Sequence, residues 1–269
     1  MELPISDTSY DLPYEALVRA VRRVAVALGR TGSEEVELDG AMCLISQARP
    51  RVRALNFAEH LAVAEGETED SLLDRIEAAF AAKGSSCHAW CTDGAWPDPL
   101  AAALERRGLR RIRRHVLCLD PGRVPPEADA GLQIIPVRAA YRDVRRFYVA
   151  KAVEAHAADE PLAEALAGAW IDRLDEPRLE MNLVRCDGEI AVVAGVFSLG
   201  EIGVISPAYC APAYRGRGVA AAAMTSVLEH CRRAQFKHVV VDRGDGCPAI
   251  RFYQRFGFSH VTSYDRYRR

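Results

Sequence analysis

The segment Tyr214–Met224, YRGRGVAAAAM, combines residue types that suit the binding of an anion. Its four consecutive alanines predict a helix, because alanine has the best helix propensity and glycine nearly the worst. A helix start exposes unpaired N–H groups and the positive end of the dipole. Gly216 and Gly218 would let a ligand approach this backbone, and Arg215 and Arg217 would add charge. The segment predicts a phosphate-like ligand, although alone it also fits a flexible turn with two solvated arginines.

Two other segments carry residue types that could do chemistry, and each has a simpler explanation. Cys87 and Cys91, in CHAWC, could join a zinc site. No second pair completes a ligand set, so we expect reduced, packed cysteines and no metal. The run RRGLRRIRR at Arg106–Arg114 could contact nucleic acid or an acidic substrate. Because it spans a helix end, a glycine and a strand, it is more typical of a solvated face.

The overall composition is that of an ordinary globular protein. Of 269 residues, 49% are hydrophobic and 27% are charged, and the formal net charge is −2. That balance argues against a general nucleic-acid or membrane-surface binder. No apolar run approaches the roughly 18 residues of a membrane-spanning helix. The N-terminal sequence MELPISDTSYDLPYE is acidic and lacks the regions of a signal peptide, which predicts a cytoplasmic protein.

The elements that must position the anion segment can be predicted from periodicity and turn residues. A Pro/Gly-rich stretch, Asp120–Gly131, predicts a linker near the middle of the chain. Behind it we expect the order β-α-α-β-β-β-α-β-α-β, with a hairpin turn at Asp187-Gly188 and a bulge near Pro207. The anion segment then lies between a strand end and a helix start, where open α/β sheets tend to bind ligands.

The first half of the sequence repeats the pattern of the second half. Matching Gly108 to Gly257 gives an offset of 149 residues and aligns two helices that each end in glycine before a final strand. In the first copy the acidic stretch Ala64–Asp70, AEGETED, replaces the arginine–glycine segment, and Leu104 replaces Tyr253. An internal duplication whose first copy has lost its anion site is therefore predicted.

Two motifs together resemble a known family. RGRGVA (Arg215–Ala220) fits Arg/Gln-x-x-Gly-x-Gly/Ala, and AIRFYQRFGF follows about thirty residues later. They are similar to the acetyl-CoA-binding loop and the following tyrosine helix of GNAT (Gcn5-related) N-acetyltransferases. The resemblance covers roughly Leu132–Arg269. It implies an α/β fold in which a mixed, mostly antiparallel sheet is flanked by helices and splayed at an acetyl-CoA slot. The duplicated layout resembles tandem-GNAT proteins, with a degenerate domain at 1–126 and a catalytic domain at 127–269.

The resemblance also implies which residues hold acetyl-CoA. Arg215 would add charge, while the pyrophosphate would lie on the backbone N–H groups of Gly216, Arg217, Gly218, Val219, Ala220 and Ala221. The pantetheine arm would pair like an extra strand with Ala208, Tyr209 and Cys210, beside the bulge at Pro207. A covalent acyl-enzyme on Cys210 is disfavoured, because no histidine–cysteine pair is visible.

By the same resemblance, Tyr253 would protonate the departing thiolate as a general acid. The alternative is a buried aromatic, but Phe252 and Phe256 are expected to fill the core and leave Tyr253 facing the slot. Ser206 lies where some family members carry a base and could relay a proton only through water. More distant base candidates are Glu201, Asp242 and His230, and the base stays undetermined.

These expectations describe an acetyl-CoA-dependent N-acetyltransferase that transfers directly to a primary amine. We expect a small-molecule acceptor, a monomer or homodimer, and no nucleic-acid or membrane partner. The alternative function is a non-catalytic acyl-CoA-binding or sensing module. A Rossmann module is disfavoured because the G-x-G-x-x-G spacing is missing.

Overall fold

The computed structural model describes residues 13–92, 98–123 and 132–269, which form two compact units. Among the described residues, the larger unit comprises those at 13–24 and within His115–Thr262, and the smaller unit comprises those within Ala25–Arg114 and Ser263–Arg269. The predicted domain boundary after residue 126 and most of the predicted linker lie outside the described residues, so that boundary stays a prediction. The helices are α1 (Tyr14–Arg30), α2 (Glu69–Ala82), α3 (Pro99–Arg106), α4 (Tyr141–His156), α5 (Glu160–Asp172), α6 (Val219–Arg233) and α7 (Ala249–Arg255). The strands are β1 (Glu34–Leu38), β2 (Ala41–Ile45), β3 (Phe57–Leu61), β4 (Ala89–Thr92), β5 (Arg110–Leu119), β6 (Gln133–Pro136), β7 (Leu179–Cys186), β8 (Glu189–Leu199), β9 (Ile202–Cys210), β10 (His238–Gly244) and β11 (Phe258–Arg268).

The larger unit has the predicted mixed sheet. Its strands follow the order β11-β5-β10-β9-β8-β7-β6, with β6 to β9 antiparallel in succession and β9 parallel to β10. Asp187 and Gly188 both have positive φ, 54° and 82°, which confirms the predicted tight hairpin between β7 and β8. Helix α6 packs its apolar face, including Met224 and Leu228, against this sheet. The prediction of a mostly antiparallel mixed sheet flanked by helices is confirmed.

Local sequence explains the helix starts in the larger unit. The Asp159 side chain caps α5 by accepting a hydrogen bond from the Leu162 N–H at 3.0 Å. Pro161 occupies the first turn, where its missing N–H has no cost. Helix α6 differs, because Gly218 occupies its N-cap position with a left-handed backbone and offers no capping side chain. The first N–H groups of α6 are therefore left for another partner.

The smaller unit carries strands in the order β1-β2-β3-β4-β11-β5. Strands β1 to β3 are antiparallel, β3 and β4 are parallel, and β4 and β11 are antiparallel. Its core contains buried Phe80, Trp90, Leu104 and Tyr267.

The predicted repeat is present in the order of the elements. Moving β1–β2–β3–α2–β4–α3–β5 along the chain by 149 residues places each element on β7–β8–β9–α6–β10–α7–β11, within a few residues. The parallel pair β3–β4 corresponds in the same way to the parallel pair β9–β10.

The two copies exchange their final strands. Strand β4 of the first copy pairs with β11, whereas β10 of the second copy has β5 as its neighbour. The register of the first exchange places Tyr267 opposite Trp90 and Arg268 opposite Ala89. Each sheet is thus continued by a strand from the other half of the sequence.

Candidate functional site

The arginine–glycine loop enters α6 through two left-handed glycines. Gly216 has φ 75° and Gly218 has φ 79°, conformations that a side chain disfavours. A Cβ atom at either position would meet nothing within 4 Å, so the backbone shape rather than crowding requires glycine. Such alternation of left-handed residues makes a concave row of N–H groups that suits an anion.

Consecutive N–H groups of this loop lack an acceptor among the described residues, although the Arg215 N–H donates to the Pro212 carbonyl at 3.1 Å. In the described part of the chain, no carbonyl or side chain accepts from the N–H groups of residues 216–220. The next amides turn inward, since those of Ala221 and Ala222 donate to the Gly218 carbonyl at 2.8 and 3.2 Å. Five adjacent donors at a helix start are therefore left without an acceptor in the described part of the chain, and such groups bind phosphate in other proteins.

Both loop arginines are held beside these donors. The Arg215 Nε donates to the Cys210 carbonyl at 3.2 Å, and the Arg217 guanidinium lies 5.3 Å from the Tyr214 ring centroid. Arg217 also lies 3.4 Å from Asp187, but that pair is exposed and contributes little. The positive charge is therefore oriented by the local backbone and remains exposed to a ligand.

Strands β9 and β10 diverge next to this loop. Their parallel register covers Ile202–Val204 and His238–Val240, after which β9 continues to Cys210 and β10 to Gly244. The register between β9 and β8 shifts where Ser206 and Pro207 face a single residue, which confirms the predicted bulge. A slot therefore opens between the two strand ends, as the fold prediction required.

Hydrogen-bond alternation shows which β9 groups face the slot. The Ala211 N–H donates to the Ala191 carbonyl of β8, and in an antiparallel ladder every second residue does so. Tyr209 therefore directs its backbone to β8, whereas Ala208 and Cys210 direct their N–H groups away from β8 and towards the slot. Of the three residues expected to pair with the pantetheine arm, two direct their N–H groups towards the slot.

Tyr253 lies on α7 with its hydroxyl against β10. The ring is 2% exposed, and the Arg243 guanidinium donates a hydrogen bond to the phenolic oxygen. The same guanidinium lies 4.8 Å from the ring centroid. Burial raises the pKa of Tyr253, and the charge of Arg243 opposes that rise. The phenol is therefore protonated at neutral pH, and a cation adjoins the oxygen that would become negative on proton loss.

The reasoning that placed Tyr253 at the slot by elimination was wrong in one respect. Phe256 is buried as expected, but Phe252 is half-buried while Tyr253 belongs to the core. The tyrosine ring packs edge-to-face on Phe258 at 5.6 Å. Only its hydroxyl, held by Arg243, is in a position to do chemistry.

A cluster of aromatic rings surrounds Lys151 on α4. The Nζ atom lies 4.7 Å from the ring centroid of Tyr209, 5.2 Å from that of Tyr148 and 5.5 Å from that of Trp170. Among the described residues no carboxylate lies within ion-pair distance of this amine. Burial, followed by Arg173 and Arg243, lowers the pKa of Lys151 to about 8. A substantial fraction of the amine is neutral near physiological pH.

The rest of this cluster joins β9 to α4. Tyr209 stacks edge-to-face on Phe147 at 5.7 Å, and its hydroxyl donates to Glu154 at 3.4 Å. Tyr148 stacks flat on Trp170 at 5.2 Å. The sequence prediction for Tyr209 concerned its backbone. In the structure its side chain also forms part of the aromatic cluster around Lys151.

The predicted base candidates occupy very different places. Glu201 precedes β9 at the end remote from the loop, where it pairs with Lys237 at 2.7 Å. His230 is in the last turn of α6 beside Glu180, also far from the helix start. Asp242 adjoins Arg243 on β10, and half-buried Ser206 lies in the bulge. Glu201 and His230 are therefore too remote, which corrects their inclusion, whereas Ser206 and Asp242 adjoin the slot.

Cys210 is not prepared to act as a nucleophile. Burial raises the pKa of its thiol, although Arg215 opposes the effect. Since the thiolate is the reactive form, the structure favours the packing interpretation.

The corresponding helix of the first copy begins differently. Thr68 caps α2 by accepting from the Ser71 N–H at 3.2 Å, and Glu69 and Asp70 occupy the first turn. Side-chain oxygens thus take the place that an anion would need. Leu104 is fully buried at the position matching Tyr253.

Two residues of the candidate site, Arg243 and Lys151, were not predicted from the sequence. Arg243 lies near the end of β10, and nothing in its local sequence indicates contact with Tyr253 ten residues later. Lys151 shares helical spacing with Val144, Phe147 and Tyr148, which predicts one apolar stripe and gives the lysine no role of its own. Its place among apolar positions of that stripe was a usable signal, because a lysine on such a face is rarely solvated fully.

Comparisons with known proteins agree with this geometry. The sequence model of the acetyltransferase (GNAT) family matches residues 139–258. A GCN5-related N-acetyltransferase from Kribbella flavida is 18% identical, with TM-score 0.59 over 91% of this chain and 94% of that chain. A functionally unknown conserved protein from Staphylococcus epidermidis ATCC 12228 is 11% identical, with TM-score 0.61 over 87% and 93%. A tandem GNAT protein from the clavulanic acid biosynthesis pathway is 16% identical, with TM-score 0.52 over 78% and 74%. No curated protein sequence matches the chain.

At these identities the structural similarities establish the fold alone. The sequence match is independent of them and spans the anion loop, the β9–β10 slot and Tyr253. No helix among the described residues is long and apolar enough to cross a membrane. This chain carries an acetyltransferase domain of the GNAT family at residues 139–258.

Proposed function

We propose that this domain is an acetyl-CoA-dependent N-acetyltransferase that acts on a primary amine of a small molecule. The observation that carries the proposal is the row of N–H groups at residues 216–220, which have no acceptor among the residues that the structure describes and lie beside the open slot between β9 and β10. A pyrophosphate fits the first feature and an extended amide-bearing arm fits the second. Two left-handed glycines keep the cradle free of side chains, which supports this assignment.

Acetyl-CoA, when bound, supplies an acetyl group activated as a thioester. The N–H groups of Ala208 and Cys210 would hold the arm, and an N–H near the bulge would stabilise negative charge on the carbonyl oxygen. Tyr253 would deliver its proton to the leaving sulfur, whose proton affinity resembles that of a cysteine thiolate. Arg243 would then stabilise the phenolate.

We propose Lys151 as the group that accepts the proton of the attacking amine. Its own amine is partly neutral near pH 8, and it adjoins Tyr209 of β9 and senses the charge of Arg243. A base whose pKa lies near the working pH transfers protons efficiently. Ser206 remains a candidate relay through water, in the bulge of the same strand. The aromatic rings around Lys151 would form one wall of the acceptor site.

The test is release of free thiol from acetyl-CoA by the full chain, with a panel of primary amines. Two variants at one position separate charge from backbone strain. Gly218→Glu adds a carboxylate to the cradle, and Gly218→Ala adds the same left-handed strain without charge. Calorimetry should show acetyl-CoA affinity falling much further in Gly218→Glu than in Gly218→Ala.

The two candidate functions give different results. Thiol release that requires an amine, and that decreases in the Gly218 variants together with their affinity for acetyl-CoA, supports the enzyme. Tight binding of acetyl-CoA without release, across all amines, supports the acyl-CoA-sensing module. Unchanged affinity in a folded Gly218→Glu variant contradicts both, because both rely on this loop.

A further inference from the structure

The smaller unit contains a cavity with an arginine-rich lining. Its volume is about 180 Å³, and its walls include Arg53, His88, Arg114, Arg266 and Arg268. All of its lining residues belong to the smaller unit, and the proposed acetyl transfer does not use this cavity.

The exchange of strands assembles this lining. Arg266 and Arg268 are two positions apart on β11, so both side chains project from the same face of the sheet. Neighbouring β5 contributes Arg114, and β4 places Ala89 opposite Arg268. Arg53 closes the cavity from a short 3-10 helix, Arg53–Leu55.

Three arginines of the lining have no ion pair among the described residues, although the buried Glu59 acts on Arg266 at longer range. Within residues 13–92, 98–123 and 132–269, no carboxylate lies in ion-pair distance of Arg53, Arg266 or Arg268. The Arg266 Nε is buried and has no hydrogen-bond partner. The Arg266 guanidinium lies 5.1 Å from the ring centroid of Phe57. An unpaired buried donor is costly, so a ligand that accepts from it would recover that free energy.

Titration behaviour agrees with a cluster of like charges. Burial lowers the pKa of Arg268, and repulsion from Arg110, Arg53 and Arg114 lowers it further. Burial also acts to lower the pKa of Arg266, but Cys91 and the buried Glu59 leave it raised. Arg266 therefore stays cationic inside the cavity.

We propose that this cavity binds a small phosphorylated molecule through its phosphate group. The guanidinium fork matches phosphate oxygens in a bidentate manner. A phosphate monoester carries a charge of about −1.5 to −2, which balances several arginines better than one carboxylate does. The cavity is smaller than the roughly 300–1,000 Å³ of a drug-sized ligand site. It therefore suits a phosphate group with a small attachment.

The experiment measures binding of inorganic phosphate to the full chain by calorimetry at constant ionic strength, with acetate as the carboxylate control. All proteins in this experiment carry the Gly218→Glu substitution. Phosphate binding at the loop before α6 is thereby blocked, so the result does not depend on the acetyl-CoA proposal. Into this background we introduce Arg53→Gln, Arg268→Gln, and both together. Arg106→Gln is the matched control, because Arg106 is 62% exposed and outside the cavity. Circular dichroism checks that each variant is folded, and exposed Arg53 provides a change that spares the sheet.

The double variant should bind phosphate at least tenfold more weakly, each single variant less so, and Arg106→Gln within twofold of its parent. Acetate should bind much more weakly than phosphate. Equal loss in Arg106→Gln, or no measurable phosphate binding by the parent, would overturn the proposal. Tight binding of a single-stranded oligonucleotide without binding of inorganic phosphate would also overturn it, and would assign these arginines to nucleic acid.

Discussion

Replacing Lys151 by methionine should stabilise the folded protein at neutral pH while it impairs catalysis. The Lys151 amine is half-buried among three aromatic rings, and no carboxylate in the described part of the chain pairs with it. Methionine keeps an unbranched apolar stem of similar length, and its sulfur makes favourable contacts with aromatic rings. The substitution therefore removes a charge without opening a cavity.

The magnitude follows from the pKa of Lys151, which falls from 10.5 to about 8 on folding. One pKa unit corresponds to about 1.36 kcal/mol, so keeping this amine charged in the folded state costs about 3 kcal/mol. Cation–π attraction opposes that cost, which makes the figure an upper bound. For a chain of this size, a gain of about 1–3 kcal/mol raises Tm by roughly 2–12 °C.

The gain should depend on pH in a defined direction. Between pH 8 and pH 10.5 the unfolded chain holds a proton on Lys151 that the folded protein has released. The stability of the wild type therefore rises with pH across this window relative to the variant. The advantage of Lys151→Met is complete below about pH 8 and disappears above pH 10.5.

The assay is urea unfolding of both proteins at pH 7 and pH 10. Lys237→Met is the control, since Lys237 is 64% exposed and its ion pair with Glu201 is on the surface. That control should stay within about 0.5 kcal/mol of the wild type. The reasoning would be refuted if Lys151→Met were less stable than the wild type at pH 7. It would also be refuted if the variant exceeded the wild type in free energy of unfolding by the same amount at both pH values.

The remaining predictions concern activity and binding. In single-turnover experiments, Tyr253→Phe should slow acetyl transfer by about 10²–10⁴-fold with acetyl-CoA affinity nearly intact; transfer at the wild-type rate would exclude the general acid. The wild-type single-turnover rate should rise with pH with an apparent pKa near 8, and Lys151→Met should lose that limb; an unchanged profile would remove Lys151 as the base. Calorimetry should find one acetyl-CoA per chain, because Thr68 and two acidic residues occupy the start of α2; a second saturable site in the first copy would contradict this.

Much of the second copy could be predicted because its signals are local. The Asp187-Gly188 hairpin, the bulge at Pro207 and the glycine entrance to α6 each depend on residues adjacent in sequence, whose backbone preferences are strong. The contact between Arg243 and Tyr253 could not be predicted in this way. It depends on how β10 and α7 pack, and short sequence patterns do not encode such packing.

The burial of side chains was also harder to predict than the element order. Phe252 and Tyr253 lie in the last turn of α7 and Phe256 directly follows that helix, and their apolar character alone does not decide which faces the core. The exchange of β5 and β11 had no local signal at all, because both strands fit either sheet by length and alternation. The shared 149-residue offset made the copies visible but not their strand pairing.

The exchange of final strands has a consequence for how the chain folds during synthesis. Strands β1 to β4 leave the ribosome first, but β11, which pairs with the other edge of β4 from β3, is made more than a hundred residues later. Until then β4 presents an open edge to the cell, with the aggregation risk that such edges carry. A premature stop that removes only Ser263–Arg269 would leave the coding of β1 to β5 intact and yet damage the smaller unit. Harm to the first copy can therefore originate in the last codons of the second.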